Sequence, residues 1–305
     1  MMCLTAQDRV FEEAEEVFET FLGLSVSAKQ IQRVSEYYGL QLEESEESYQ
    51  EEFQEVPLIS KEKEEVVYIT TDGSMVYTRE EAWKEMKVGR IYSESSRIPL
   101  QESRTEVRDS LYVCTLGNNK DFIKKFEPYV EPYKHKVFIA DGAKWIWNWV
   151  EDFYSDSVQI LDFYHAVEKL GVYAASVYKD VGERRQWLDL QKQRLKADEV
   201  DKLLEELKET AAKTKKTTEV GKNLEDVIRY YENNRERMQY GSFLKKGYLI
   251  GSGAIESAHR NVIQQRLKLS GQRWSIDGAQ RIANLRAYKK SNRWKCVVGQ
   301  IKRAA

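Results

Sequence analysis

Cysteine is scarce in this chain, and what there is of it is scattered. Cys3, Cys114 and Cys296 are the only three in 305 residues, and none belongs to a C-x-x-C pair. That spacing excludes a zinc ribbon and a disulfide framework, and the three are expected to be ordinary reduced thiols of a cytosolic protein. Long apolar runs are also missing. None approaches the ~18 residues that cross a bilayer, and MMCLTAQDRVFEEAEE has no signal-peptide core, so no membrane partner is expected. Charge of one sign is missing locally at each end. Residues 1–66 hold 5 Lys/Arg against 17 Asp/Glu, whereas residues 241–305 hold 14 Lys/Arg against 2 Asp/Glu, although the whole chain sums to −2. A basic quarter of this kind makes a local field suited to a phosphate backbone.

The length suggests one main core with helical additions. Residues 1–42 are expected to be helical. Apolar residues recur at helical spacing over 7–22 and stop at Gly23. Ser27 can cap a second helix that carries Ile31, Val34 and Tyr38 and ends at Gly39, so the pair reads as a helical hairpin or a helix-turn-helix remnant. Residues 43–65, rich in Glu and broken by Pro57, read as an acidic linker.

The core is expected to begin at Val66. VVYIT is a strand, Gly73 a turn, and MVYTR its antiparallel partner. EEAWKEMK (80–87) reads as a helix, and LYVCTLG (111–117) as a third strand. A helix over 119–128, a strand KVFIA (136–140), a helix over 143–154 and a strand VQIL then follow. Three antiparallel strands followed by helix, strand, helix and strand give an α/β fold. It is the order of a ribonuclease-H-like mixed five-stranded sheet flanked by helices. Residues 66–165 form the first part of that core. An all-helical insertion over 166–245 interrupts it, with Leu195, Val200, Leu203, Leu204 and Leu207 set to join two antiparallel helices. Residues 246–305 complete the core with a helix and a basic region.

Three acids stand out. Asp72 in YITTDGS and Asp141 in FIADGAKW each follow a β-branched run and precede glycine, while Glu256 lies in the first turn of a helix after GSG. Either aspartate alone is explained by turn chemistry. All three together, on these elements, suit a pair of hard divalent cations, because Mg²⁺ takes oxygen ligands and two such ions can bind the attacking and leaving oxygens of a displacement at phosphorus. Asp162 and His165, at the end of the fifth strand, are candidates for supporting that site. Ser252 can cap the Glu256 helix, on which His259 and Arg260 follow at i+3 and i+4. Arg266, Lys268, Arg273 and Trp274 form a basic stretch with one aromatic. Trp274 stands equally as a base-stacking platform or a packed residue. Residues 281–294 read as a basic amphipathic helix for phosphates.

At YITTDGS, FIADGAKWIW, ILDFYHA and GSGAIESAHR, in this order over roughly 66–290, the chain resembles DDE transposases of bacterial insertion sequences, in their Mutator-like branch. The resemblance implies Asp72, Asp141 and Glu256 as catalytic metal ligands, and Asp162 with His165 as the acid-x-x-His motif. It also implies two Mg²⁺ ions per site, with Mn²⁺ able to substitute. Double-stranded DNA would be the partner, contacted by His259, Arg260, Arg266, Lys268, Arg273 and Trp274, in a homodimeric complex in the bacterial cytoplasm. The competing readings are a non-catalytic DNA-binding relic and a ribonuclease-H-fold nuclease or resolvase.

Overall fold

The structure is a computed structural model that describes residues 1–51, 64–101, 104–251 and 253–304. The linker's Pro57 and the cap expected from Ser252 lie outside these residues. The fold is α/β, built on a mixed five-stranded sheet of order β5-β2-β1-β6-β7 flanked by helices. The strands are β1 (Val66–Thr78), β2 (Ala82–Ser93), β5 (Leu111–Leu116), β6 (His135–Ala140) and β7 (Val158–Leu161). β1, β2 and β5 run antiparallel in turn, and β6 and β7 pair in parallel. With the separate hairpin of β3 (Arg97–Gln101) and β4 (Arg104–Val107) set aside, this is the strand order expected from the sequence.

Two expectations within that order are corrected. The first hairpin does not turn at Gly73, because β1 continues through Asp72 and Gly73, which pair with Val88 and Lys87 of β2. The turn falls at residues 79–81, where the Thr78 hydroxyl accepts from Glu81 N and donates to the carbonyl of Ala82, whose φ is 57°. MVYT is therefore the second half of β1. Its partner is AWKEMKVGRIYS, the stretch whose start reads as a helix. Good helix formers at 80–87 lose to pairing on both edges, since β2 lies between β1 and β5 and buries every residue from Met86 to Ser93. A Cβ at Gly73 would meet the movable end of the Glu85 side chain, which can give way.

By internal packing the chain divides into two compact units, Met1–Lys136 with Ala254–Ala305, and Val137–Gly253. In the first unit, Val76, Met86, Val88, Cys114 and Leu116 line one face of the β1–β2–β5 ladder. They pack with Ile255, Ala258, Val262 and Leu267 and with the helix Ile276–Lys290. The N-terminal helices belong to this unit, where Cys3 and Leu42 join the same core and Phe11, Val34 and Tyr38 pack against it. Helix Phe11–Leu22 ends at Gly23 in the left-handed region, as expected. Gly39, by contrast, ends nothing. The helix Ala28–Glu51 runs through it, and its missing side chain lets the backbone close on Arg281.

In the second unit, helix Lys144–Phe153 joins β6 to β7, and from Phe163 to Lys245 the described regular elements are all helical. Leu195, Val200, Leu203, Leu204 and Leu207 are buried. Tyr231 OH donates to Ala166 O at 2.9 Å, tying helix Glu219–Asn234 to helix Phe163–Val177. No helix among the described residues is long and apolar enough to cross a membrane.

Candidate functional site

Asp72 is half-buried in mid-strand. Its Oδ1 accepts from the backbone N–H of Gly73 at 2.7 Å, and its Oδ2 lies 3.3 Å from His259 Nε2. Strand alternation puts Asp72 on the same face as its partner Val88, the face that Ile255, Ala258 and Val262 cover. The segment bearing Glu256 therefore lies over the Asp72 side of the ladder. Glu256 is exposed near the start of helix Gly253–Ala258, one turn before His259. Residues three apart on a helix are neighbours, so Glu256 and His259 share a side.

His259 opens a π-helical turn, His259–Gln264. A wider turn puts carbonyls out of step with their amide donors. Here a side chain completes them: the buried Arg286 guanidinium donates to the carbonyls of Asn261 and Val262, and also to that of Gln7. The His259 imidazole is 4 % exposed. Burial, and after it the charge of Lys268, pushes its pKa down to about 4, against the opposing effects of the Asp72 backbone and the Glu85 charge. Near neutral pH the contact is thus a neutral imidazole beside a carboxylate and not an ion pair. Lys268 is exposed and donates to Ser74 Oγ at 3.2 Å.

The basic stretch divides. Arg260, Lys268 and Arg273 are exposed. His259 and Arg266 are buried, which corrects their expected place on a DNA-facing surface, and Trp274 is the packed residue of its two readings. Arg266 donates to Ala6 O and lies 4.9 and 4.8 Å from the ring centroids of Phe11 and Trp274, while Trp274 Nε1 donates to Leu267 O. The aromatic sandwich and the backbone acceptor compensate the guanidinium for lost water. Residues 281–294 are also corrected. Ile276–Lys290 is a core helix whose buried residues run unbroken from Ile282 to Tyr288, and a second helix starts at Trp294.

In the second unit, Asp141 follows β6. Its Oδ1 accepts from Ala143 N at 3.0 Å, and its carbonyl accepts from Trp147 Nε1 at 2.7 Å. Gly142 is required by Tyr230, since a Cβ would sit 2.2 Å from that ring. Burial, then the Asp141 charge, raises the Tyr230 phenol well above its usual range, so it stays protonated. Nothing in the motif signals Tyr230, which arrives from 89 residues away, although the glycine after Asp141 hints at a close approach. Asp162 is fully buried and caps helix Phe163–Val177, accepting from His165 N at 2.8 Å with His165 Nδ1 at 3.3 Å. Beside Asp141, a cleft of about 590 Å³ is lined by Gly142, Lys144, Trp147, Asn148, Tyr230 and Arg237.

The structure thus joins Asp72 to His259 and Asp162 to His165. Among the described residues, no three His, Cys, Asp or Glu side chains are gathered to hold a metal ion. Asp72 and Asp141 each accept from a nearby backbone amide. Within the first unit, Asp72 and Glu256 offer oxygen and His259 a buried nitrogen, donor types that divalent cations take.

A family model described as "Uncharacterised protein family (UPF0236)" matches residues 6–301, and the chain belongs to that family. A search of the curated proteins finds no match.

Proposed function

We propose that the chain is a metal-dependent DNA transposase of an insertion sequence, hydrolysing phosphodiester bonds at the element's ends and passing the freed 3′-hydroxyl into target DNA. The observation that carries this reading is the packing of the Glu256 segment over the ladder face that bears Asp72. Asp72, Asp141 and Glu256 would hold two Mg²⁺ ions, which would supply Lewis-acid activation of the attacking and leaving oxygens.

The chain's own residues do the rest. The ladder on both sides of Asp72 fixes its carboxylate, and Asp162, buried as a helix cap, orients His165. Exposed Arg260, Lys268 and Arg273 offer charge to the backbone phosphates. Two copies of the chain would serve the two ends of the element.

Asp72→Asn, Asp141→Asn and Glu256→Gln should each abolish Mg²⁺-dependent cleavage while leaving DNA binding near wild type. The measurements are nicking of supercoiled plasmid and joining of a labelled 3′ end. Full cleavage by any one variant removes that residue from the site. Cleavage without joining favours a nuclease or resolvase, and binding without Mg²⁺-dependent nicking favours the non-catalytic reading.

A further inference from the structure

His259 has a position that the three-acid reading leaves unused. It is buried, and its ring nitrogens make no well-aligned hydrogen bond, although Asp72 lies beside the ring. A buried imidazole normally finds a partner for at least one nitrogen, because desolvating an unpaired polar atom is costly. One of the two, Nε2, lies 3.3 Å from Asp72 Oδ2. Two ligand atoms each ~2.0–2.2 Å from one cation, at roughly right-angled to tetrahedral separation, lie about 3.0–3.5 Å apart. The pair thus has the bite of two ligands on one ion.

We propose that His259 is a direct nitrogen ligand of the cation held by Asp72, so that the site selects Mn²⁺ over Mg²⁺. This rests on the metal-binding role of Asp72 proposed above and adds a ligand to it. Three features of the surroundings support it. Asp72 is held by the β1–β2 ladder, and its Oδ1 is engaged by Gly73 N, which leaves Oδ2 facing the ring. The π-turn that carries His259 is stapled through its carbonyls by Arg286, so the imidazole is aimed by a rigid support. Glu256 stands one helical turn before His259 and is exposed. Lys268 opposes a cation here, but its ammonium is exposed, screened by solvent and held by Ser74, while Glu85 offsets it. Imidazole nitrogen strengthens binding of first-row transition ions far more than that of Mg²⁺, which prefers oxygen throughout.

The test titrates the full-length chain with Mn²⁺ alone and reads the bound ion by pulsed EPR, with Mg²⁺ as competitor. Imidazole-nitrogen modulation is expected in the wild type. His259→Gln should lose it, weaken Mn²⁺ binding about tenfold or more, and narrow the preference over Mg²⁺ by a similar factor. Should His259→Gln fail to fold, as judged by its thermal transition, His135→Gln and His165→Gln decide by elimination, since the chain has only three histidines. Modulation that survives in both assigns the ligand to His259, and its loss in either overturns the proposal. Mn²⁺ binding that depends on Asp72 but shows no nitrogen modulation overturns the His259 ligand and leaves the metal site standing. Absence of Mn²⁺ binding that Asp72→Asn can remove overturns both.

Discussion

Replacing Gly39 with alanine sets two well-measured effects against each other. In a helix interior the change alone stabilises by about 1 kcal/mol, because glycine loses more backbone freedom on folding. At Gly39, however, the new Cβ would fall 2.4 Å from the Arg281 carbonyl oxygen, 2.8 Å from its carbonyl carbon and 2.8 Å from its Cβ. These atoms are backbone or next to it, so no side-chain rotation relieves the clash and helices Ala28–Glu51 and Ile276–Lys290 must separate. Overpacking of this kind costs about 1–3 kcal/mol. Separation also stretches the 3.2 Å bond from Asn284 Nδ2 to Gly39 O. The expected net effect is destabilisation by about 1 kcal/mol, opposite in sign to propensity. Gly171, within helix Phe163–Val177, has nothing within 4 Å of the place a Cβ would take and serves as the control, so Gly171→Ala should stabilise by roughly 0.5–1 kcal/mol. Urea denaturation followed by circular dichroism measures both. A Gly39→Ala protein at least as stable as wild type would refute the close helix crossing.

Two further outcomes follow from buried charge. The His259 pKa of about 4 lies below its ordinary 6.5, so the unfolded chain takes up this proton first as pH falls. Its contribution is complete above the unfolded value and drains away as pH drops from 6.5 towards 4, amounting to about 2 kcal/mol by pH ~5. Unfolding free energies at neutral pH and near pH 5 should therefore differ less in His259→Gln than in wild type, and equal slopes would show that the ring is not buried neutral. Arg286→Met leaves the carbonyls of Gln7, Asn261 and Val262 without their donor and should destabilise by about 3 kcal/mol in the same assay, with a loss below about 1 kcal/mol counting against the staple.

The parts of the fold that are readable from the sequence are those where local signals and tertiary packing agree. β6 and β7 follow from β-branched runs that end in acids, and Asp162 caps a helix much as an Asp there should. The leucines of the helical insertion fall inward at their spacing. Misreadings come where the two disagree. At 80–87 the composition favours a helix, but a strand between two others gains pairing on both edges. Asp72-Gly73 looks like a turn because glycine most often serves one, whereas here the strand continues through both residues, paired with Val88 and Lys87. In AQRIANLRAYKK the charges draw attention away from Ala279, Ala283 and Ala287, whose i+4 spacing marks a helix packed closely on its neighbours. For the site, the acids are visible as residue types. The Asp72–His259 contact is not, since it depends on a wide helical turn that no local pattern announces.

Asp72 stands six residues into a strand of thirteen, with partnered backbone on both sides of it. A carboxylate on a loop must be brought to heel each time it captures a ligand, and part of the binding energy is lost in doing so. Here the sheet settled that question as the chain folded. Length changes in the hairpin connection at 79–81 would leave the acid where it is, whereas a one-residue slip between β1 and β2 would turn it to the opposite face, away from His259.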